Sequence, residues 1–66
     1  MILTLNGKQE SIDRHLSLDA LVAAKGLCPD KIVVEHNFSI ISQEDWPKIA
    51  LKDQDMIEIV SFVGGG

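Results

Sequence analysis

Few residues in this chain are of types that carry out chemistry, and most stand too far apart to act together. Cys28 lies between Leu27 and Pro29 with only Lys31 as a nearby cation, so it reads as a structural or incidental thiol and not a sulfur relay. His15 and His36 fall after the second strand and at a turn, which gives neither a metal site nor an acid–base pair. Asp53, Asp55 and Glu58 lack the spacing and the further oxygen ligands of a calcium loop and read as a solvated turn. The remaining candidate is the last stretch, Phe62-Val63-Gly64-Gly65-Gly66, whose end is expected to be a free carboxylate on Gly66. Three glycines cannot pack a core, but they can thread a slot in which any Cβ would clash. Extended, they reach roughly 10 Å beyond the last apolar side chain. Two readings stand at this point. The end is a frayed terminus, or it is a device that carries a carboxylate into another protein's active site.

Composition narrows what such a device can belong to. A 66-residue chain is one domain near the lower limit for folding without a staple. Its single cysteine excludes an internal disulfide and a zinc cluster of the usual ligand count. Its apolar content of 45% is that of a globular protein. No apolar run approaches the ~20 residues of a membrane span, and Met1 leads into strand-like sequence, not a signal peptide. A cytoplasmic setting is expected. The net charge of -4 disfavours nucleic acid and anionic membrane and favours a partner with a basic docking face.

The elements that position the tail follow from local pattern. Met1 to Leu5 alternates around Leu3 and Leu5 and predicts a half-buried strand. Asn6-Gly7 tolerates φ > 0 at both positions and predicts a two-residue hairpin into a second strand over Lys8 to Asp13, with Ile12 inward. Ser17 is the expected N-cap of a helix, and Leu16 and Leu21 have staple spacing around it. Leu18, Leu21 and Val22 share one face of that helix; Gly26 ends it, and Leu27 stands where a Schellman motif wants an apolar contact. Strands are expected at Ile32 to Glu35 and Phe38 to Ser42. A single 3₁₀ turn over Gln43 to Trp46 should dock Trp46 in a small satellite core and end before Pro47. Leu51 precedes a polar turn, and a last strand alternates Ile57 and Ile59 against Glu58, Val60 and Phe62.

A hairpin, a helical crossover and a last strand parallel to the first give an α+β fold, a mixed sheet with one helix on one face and the other face uncovered. The expected core is Leu3, Leu5, Ile12, Leu18, Leu21, Val22, Ile32, Val34, Leu51, Ile57 and Ile59. The domain is expected over residues 1–63, with a flexible tail over residues 64–66. Val60 and Phe62 form an apolar patch on the uncovered face beside the tail that reads as a docking surface, and with Val63 they are the candidate partner-binding residues.

The strand-strand-helix-strand order, Val33-Val34-Glu35 running to Asn37, Trp46 in its short turn, Leu51 before an acidic turn, Ile57-Glu58-Ile59-Val60 and the terminal glycines together resemble the ubiquitin-like sulfur carriers, most closely the ThiS family of thiamine (thiazole) biosynthesis. The family often has Asn-Gly and Asp-Gly-Asp where this chain has Asn37-Phe38 and Asp53-Gln54-Asp55, so two turns lose a glycine. The resemblance implies a ubiquitin-like β-grasp fold and a carrier that is a co-substrate and not an enzyme. An E1-like enzyme, using ATP that the carrier itself does not bind, would adenylate the carboxylate of Gly66, with Gly64 and Gly65 as its thin stalk. A persulfide supplied by a cysteine desulfurase would displace AMP to leave a thiocarboxylate, and thiazole synthase would take the sulfur. This agrees with the absence of a Gly-rich phosphate loop followed by Lys and Ser or Thr. Alternatives are the small subunit of molybdopterin synthase, whose family usually has prolines near the glycines, a ubiquitin-like protein modifier, and a plain binding module.

Overall fold

The computed structural model describes residues 1–62. Its elements are β1 (Ile2–Leu5), β2 (Lys8–Ser11), α1 (Leu18–Ala24), β3 (Ile32–His36), β4 (Ser39–Ile41) and β5 (Met56–Ser61), with 3₁₀ segments at Pro29–Lys31 and Gln43–Lys48. The five strands form one sheet in the order β2-β1-β5-β3-β4. Parallel pairing of β1 with β5 puts the last strand in the centre, as the expected β-grasp layout requires. The other three pairings are antiparallel.

Turn chemistry explains the two hairpins. Asn6 and Gly7 both have positive φ, 50° and 81°, which matches the twist of β1 and β2. Asn37 and Phe38 do the same between β3 and β4, at 48° and 73°. Here the second position holds a phenylalanine, where an L side chain is strained. Gln54 repeats the situation at φ 73°. Both turns that lack the family's glycine therefore keep the glycine-like backbone.

The helix ends as its sequence predicts. Gly26 turns left-handed, its N–H donates to the Ala23 carbonyl at 3.0 Å, and Leu27 N–H reaches the Val22 carbonyl at 3.3 Å. These are the two bonds of a Schellman motif. At the other end Ser17 occupies the N-cap position, but its hydroxyl bonds the Asp19 carboxylate and not a backbone amide. The helix start is held from outside instead: Leu18 N–H donates to the Ile49 carbonyl at 2.9 Å, and Leu51 N–H to that of Leu16 at 2.9 Å.

The core joins Leu18, Leu21 and Val22 of α1 to Leu3, Ile32, Val34 and Ile57 of the sheet, with Leu51 and Trp46. Leu5, Ile12 and Ile59 are only partly buried against it. Several expectations need correcting. Trp46 belongs to the main core, not a satellite: it is 3% exposed, and its indole N–H donates to the Ile41 carbonyl at 3.0 Å. Its 3₁₀ segment runs through Pro47 to Lys48 instead of stopping at Trp46. β2 stops at Ser11, short of Asp13; Ile12 and Met1 exchange the last two ladder bonds, at 2.6 and 2.8 Å. β4 omits Phe38, which the turn consumes, and Ser42. Val63 and the expected tail, Gly64 to Gly66, lie outside the described residues.

Candidate functional site

Strand alternation sorts the sheet's residues onto two faces. The register pairs Leu5 with Ile57, Ile57 with His36, and Ile59 with Val34, which fixes the face covered by α1. The opposite face then carries Thr4 beside Met56, Val33 beside Val60, and Glu35 flanked by Glu58 on one side and Ile40 on the other. No described helix covers it.

That open face collects the exposed apolar side chains. Among the described residues the exposed large hydrophobic residues are Val33, Phe38, Ile40, Met56, Val60 and Phe62. Val33, Ile40, Met56 and Val60 lie on this face by register, Phe62 by continuing the alternation past β5, and Phe38 stands at the β3–β4 turn. Val60 and Phe62, singled out from sequence, are 61% and 46% exposed. Phe62 continues the ladder past the end of β5, its N–H donating to the Lys31 carbonyl at 3.0 Å. The apolar surface therefore runs along the strand that leads towards Gly64-Gly65-Gly66. Sequence reading missed Val33, Met56 and Ile40 as parts of this surface. In a run such as Val33-Val34 or Ile40-Ile41 composition does not say which residue points out; only the register of β3 with β5 and of β4 with β3 does.

The other candidates separate. His36 does not meet His15. Its Nε2 lies 2.8 Å from Asp55, and Asp55 also accepts from the Lys52 amide at 2.9 Å and from Asn37 Nδ2 at 3.1 Å. Asn37 in turn accepts from the Met56 amide at 2.8 Å through its Oδ1. Asp55 is 8% exposed, so the reading of Asp53 to Glu58 as a solvated turn is wrong at its centre. Burial by itself would raise the Asp55 carboxyl, but the hydrogen bonds from His36, the Lys52 amide and Asn37 outweigh it and hold the group below the usual carboxylate value. The network ties the β3–β4 turn to the start of β5 and is structural. Cys28 is exposed and unpaired. Among the described residues no cluster of three or more His, Cys, Asp or Glu side chains could hold a metal ion. No described helix is long and apolar enough to cross a membrane.

The arrangement offers a rigid strand, an apolar face along it, and a glycine run after it. Known proteins resemble the chain in sequence and fold. The ThiS family model matches residues 3–66. The chain is 39% identical to the sulfur carrier protein ThiS of Bacillus subtilis, with 98% of this chain and all of that protein covered. The crystal structure of the thiamine biosynthesis protein ThiS from Geobacter metallireducens superposes with a TM-score of 0.86 at 32% identity, over the whole of both chains. The full chain is also 33% identical to a segment of a thiazole synthase from Paramagnetospirillum magneticum; it spans 20% of that protein's length. Family model, full-length relative and matching β-grasp structure agree: the chain belongs to the ThiS family.

Proposed function

We propose that this protein is a sulfur carrier of thiamine biosynthesis whose reacting group is the carboxylate of Gly66. The observation that carries the reading is the match, over all of the Bacillus subtilis sulfur carrier, to a chain whose family match extends through the glycine run. A carboxylate is a poor electrophile. An E1-like activating enzyme converts it with ATP to an acyl adenylate and pyrophosphate. A partner's persulfide, charged by a cysteine desulfurase, attacks the acyl carbon and expels AMP. The bond formed is C–S; a thiol then cleaves the persulfide's own S–S bond, taking the partner's sulfur into a disulfide, and leaves the outer sulfur on Gly66 as a thiocarboxylate. A glycine terminus suits this chemistry because no side chain crowds the acyl carbon. The protein is a co-substrate; ATP and its metal belong to the activating enzyme, which docks on Val60, Phe62 and Val63. Thiazole synthase is the sulfur acceptor, a reading supported by thiazole synthases that contain a segment like this chain.

The test alters the tail alone. Deleting Gly66 leaves the carboxylate ~3.3–3.6 Å short, and a misplacement of about 1 Å can cost about a hundredfold in rate. Adding an alanine after Gly66 puts a methyl beside the acyl carbon and shifts it the other way. Both variants should lose ATP–pyrophosphate exchange with the activating enzyme and the mass gain of sulfur replacing oxygen, while thermal melts stay unchanged. Sulfur uptake at a near-normal rate by the untrimmed alanine variant would exclude the tail as the site and leave a binding module.

A further inference from the structure

Glu35 of β3 and Glu58 of β5 stand directly opposite each other on the open face. Like charges in that relation destabilise a sheet, with Cβ atoms only about 5 Å apart. Neither carboxylate forms an ion pair among the described residues. The strand positions of this face supply no cation to neutralise them: by register it carries Ile2, Thr4, Gln9 and Ser11 on β1 and β2, and otherwise the apolar residues named above. The pair is also set into apolar surface. Val33 and Val60 form the next outward-facing row, ~7 Å along the strands, and Ile40 flanks Glu35. Glu35 is already half-buried.

A partner that covers Val60 therefore strips water from Glu58 and Glu35 as well. Desolvated carboxylates without a counter-charge are strongly unfavourable. We propose that the protein docking on this face is apolar around a basic side chain, an arginine or lysine, that enters between Glu35 and Glu58. The inference rests on the reading that the open face docks the activating enzyme, and it adds the charge that the enzyme's contact surface must carry. A second copy of this chain does not fit, because two-fold pairing would bring four carboxylates together on a chain of net charge -4. The pair then trades stability for recognition: it weakens the free fold slightly, and the partner's cation relieves it.

The trade gives a signature that a purely structural role does not. Glu58→Gln and Glu35→Gln should each raise Tm, by about 1–5 °C for a like-charge contact in so small a domain. Each should also weaken docking of the activating enzyme about tenfold, as expected when one member of a desolvated charge pair is removed. Calorimetric titration reads the affinity. Glu44→Gln removes an exposed acid from the 3₁₀ segment instead and should leave affinity within about twofold, which separates a local contact from the general pull of net charge. Glutamine variants that gain stability yet dock as tightly as the parent would overturn the inference while leaving the carrier reading intact. A parent chain that neither docks nor supports pyrophosphate exchange would sink both. Self-association of the parent in sedimentation, abolished by Val60→Asp, would overturn the inference by giving the face to a second copy.

Discussion

The two faces of one five-stranded sheet are built from alternate residues of the same strands, and they differ in almost every property. On the covered face Ile57, Val34 and Leu3 are within 1% of full burial. One residue along each strand, Met56, Val33 and Thr4 stand in or near solvent. The covered face is closed by α1 and by Trp46 from the 3₁₀ segment. The open face carries apolar side chains and a pair of acids that nothing among the described residues covers or neutralises. So small a domain has few residues for separate regions, and in the function proposed above alternation lets neighbouring residues serve stability and recognition independently. If that division holds, substitutions one residue apart on β5 must separate folding from docking.

The largest effects test the division directly. Ile57→Ala should destabilise the fold by roughly 2–5 kcal/mol through lost burial and a cavity, a large share of the total for a domain of this size. A loss below about 1 kcal/mol in urea melts would refute the inward placement of Ile57. Phe62→Asp should leave the melt nearly unchanged, because the site is exposed, yet weaken docking of the activating enzyme by about 2 kcal/mol or more, as for an interface aromatic. Unchanged affinity in the folded variant would remove Phe62 from the docking surface.

The division also shows what could be read in advance. Asn6-Gly7 and Gly26-Leu27 were legible because their requirement, a positive φ at a defined position, is local. The parallel pairing of β1 and β5 was legible because a hairpin followed by a crossover leaves few arrangements. Trp46 was misplaced because its burial depends on where the segment after β4 crosses α1, which no local pattern states. Asp55 was misread for a similar reason. An aspartate in a polar turn looks solvated, and its partner His36 lies 19 residues away in sequence. On the open face, Val60 and Phe62 were visible from the alternation of one strand, whereas Val33 and Ile40 required the register between strands. The glycine run was the clearest signal in the sequence, and its role rests on the family's chemistry.

A smaller effect probes the link between the faces at the β3–β4 turn. The Asp55 carboxyl is held below its usual value in the folded protein. It therefore contributes stability that is present above the unfolded value, near pH 3.9, and is lost as pH falls through the lower folded value. Asp55→Asn keeps the size of the side chain but removes the charge that His36, Asn37 and the Lys52 amide bind. The variant should be less stable by about 1–3 kcal/mol at neutral pH, as for a buried group losing its partners. Its stability should also fall less steeply than that of the parent between about pH 4 and the acid transition. Parallel acid limbs in the two proteins would exclude Asp55 as a source of that slope.

The smallest effect concerns Phe38 and Gln54, which hold left-handed backbone at φ 73° without being glycine. For an L residue that conformation is unfavourable by roughly 1–2 kcal/mol. Glycine removes the strain but gives up about 0.5–1 kcal/mol through its freer unfolded chain. Phe38→Gly and Gln54→Gly should therefore each stabilise the protein by at most about 1.5 kcal/mol. The two sites sharpen the comparison of faces because only one of them holds a large apolar side chain. Phe38 is 77% exposed, so little packing is lost on its removal. If both variants gain stability and only Phe38→Gly weakens docking of the activating enzyme, the recognition surface extends past Ile40 to the turn. If neither loses affinity, it ends on the strands. A loss of stability in Phe38→Gly would show that the phenyl ring supports the hairpin, and Phe38 would then belong with the residues that hold the fold.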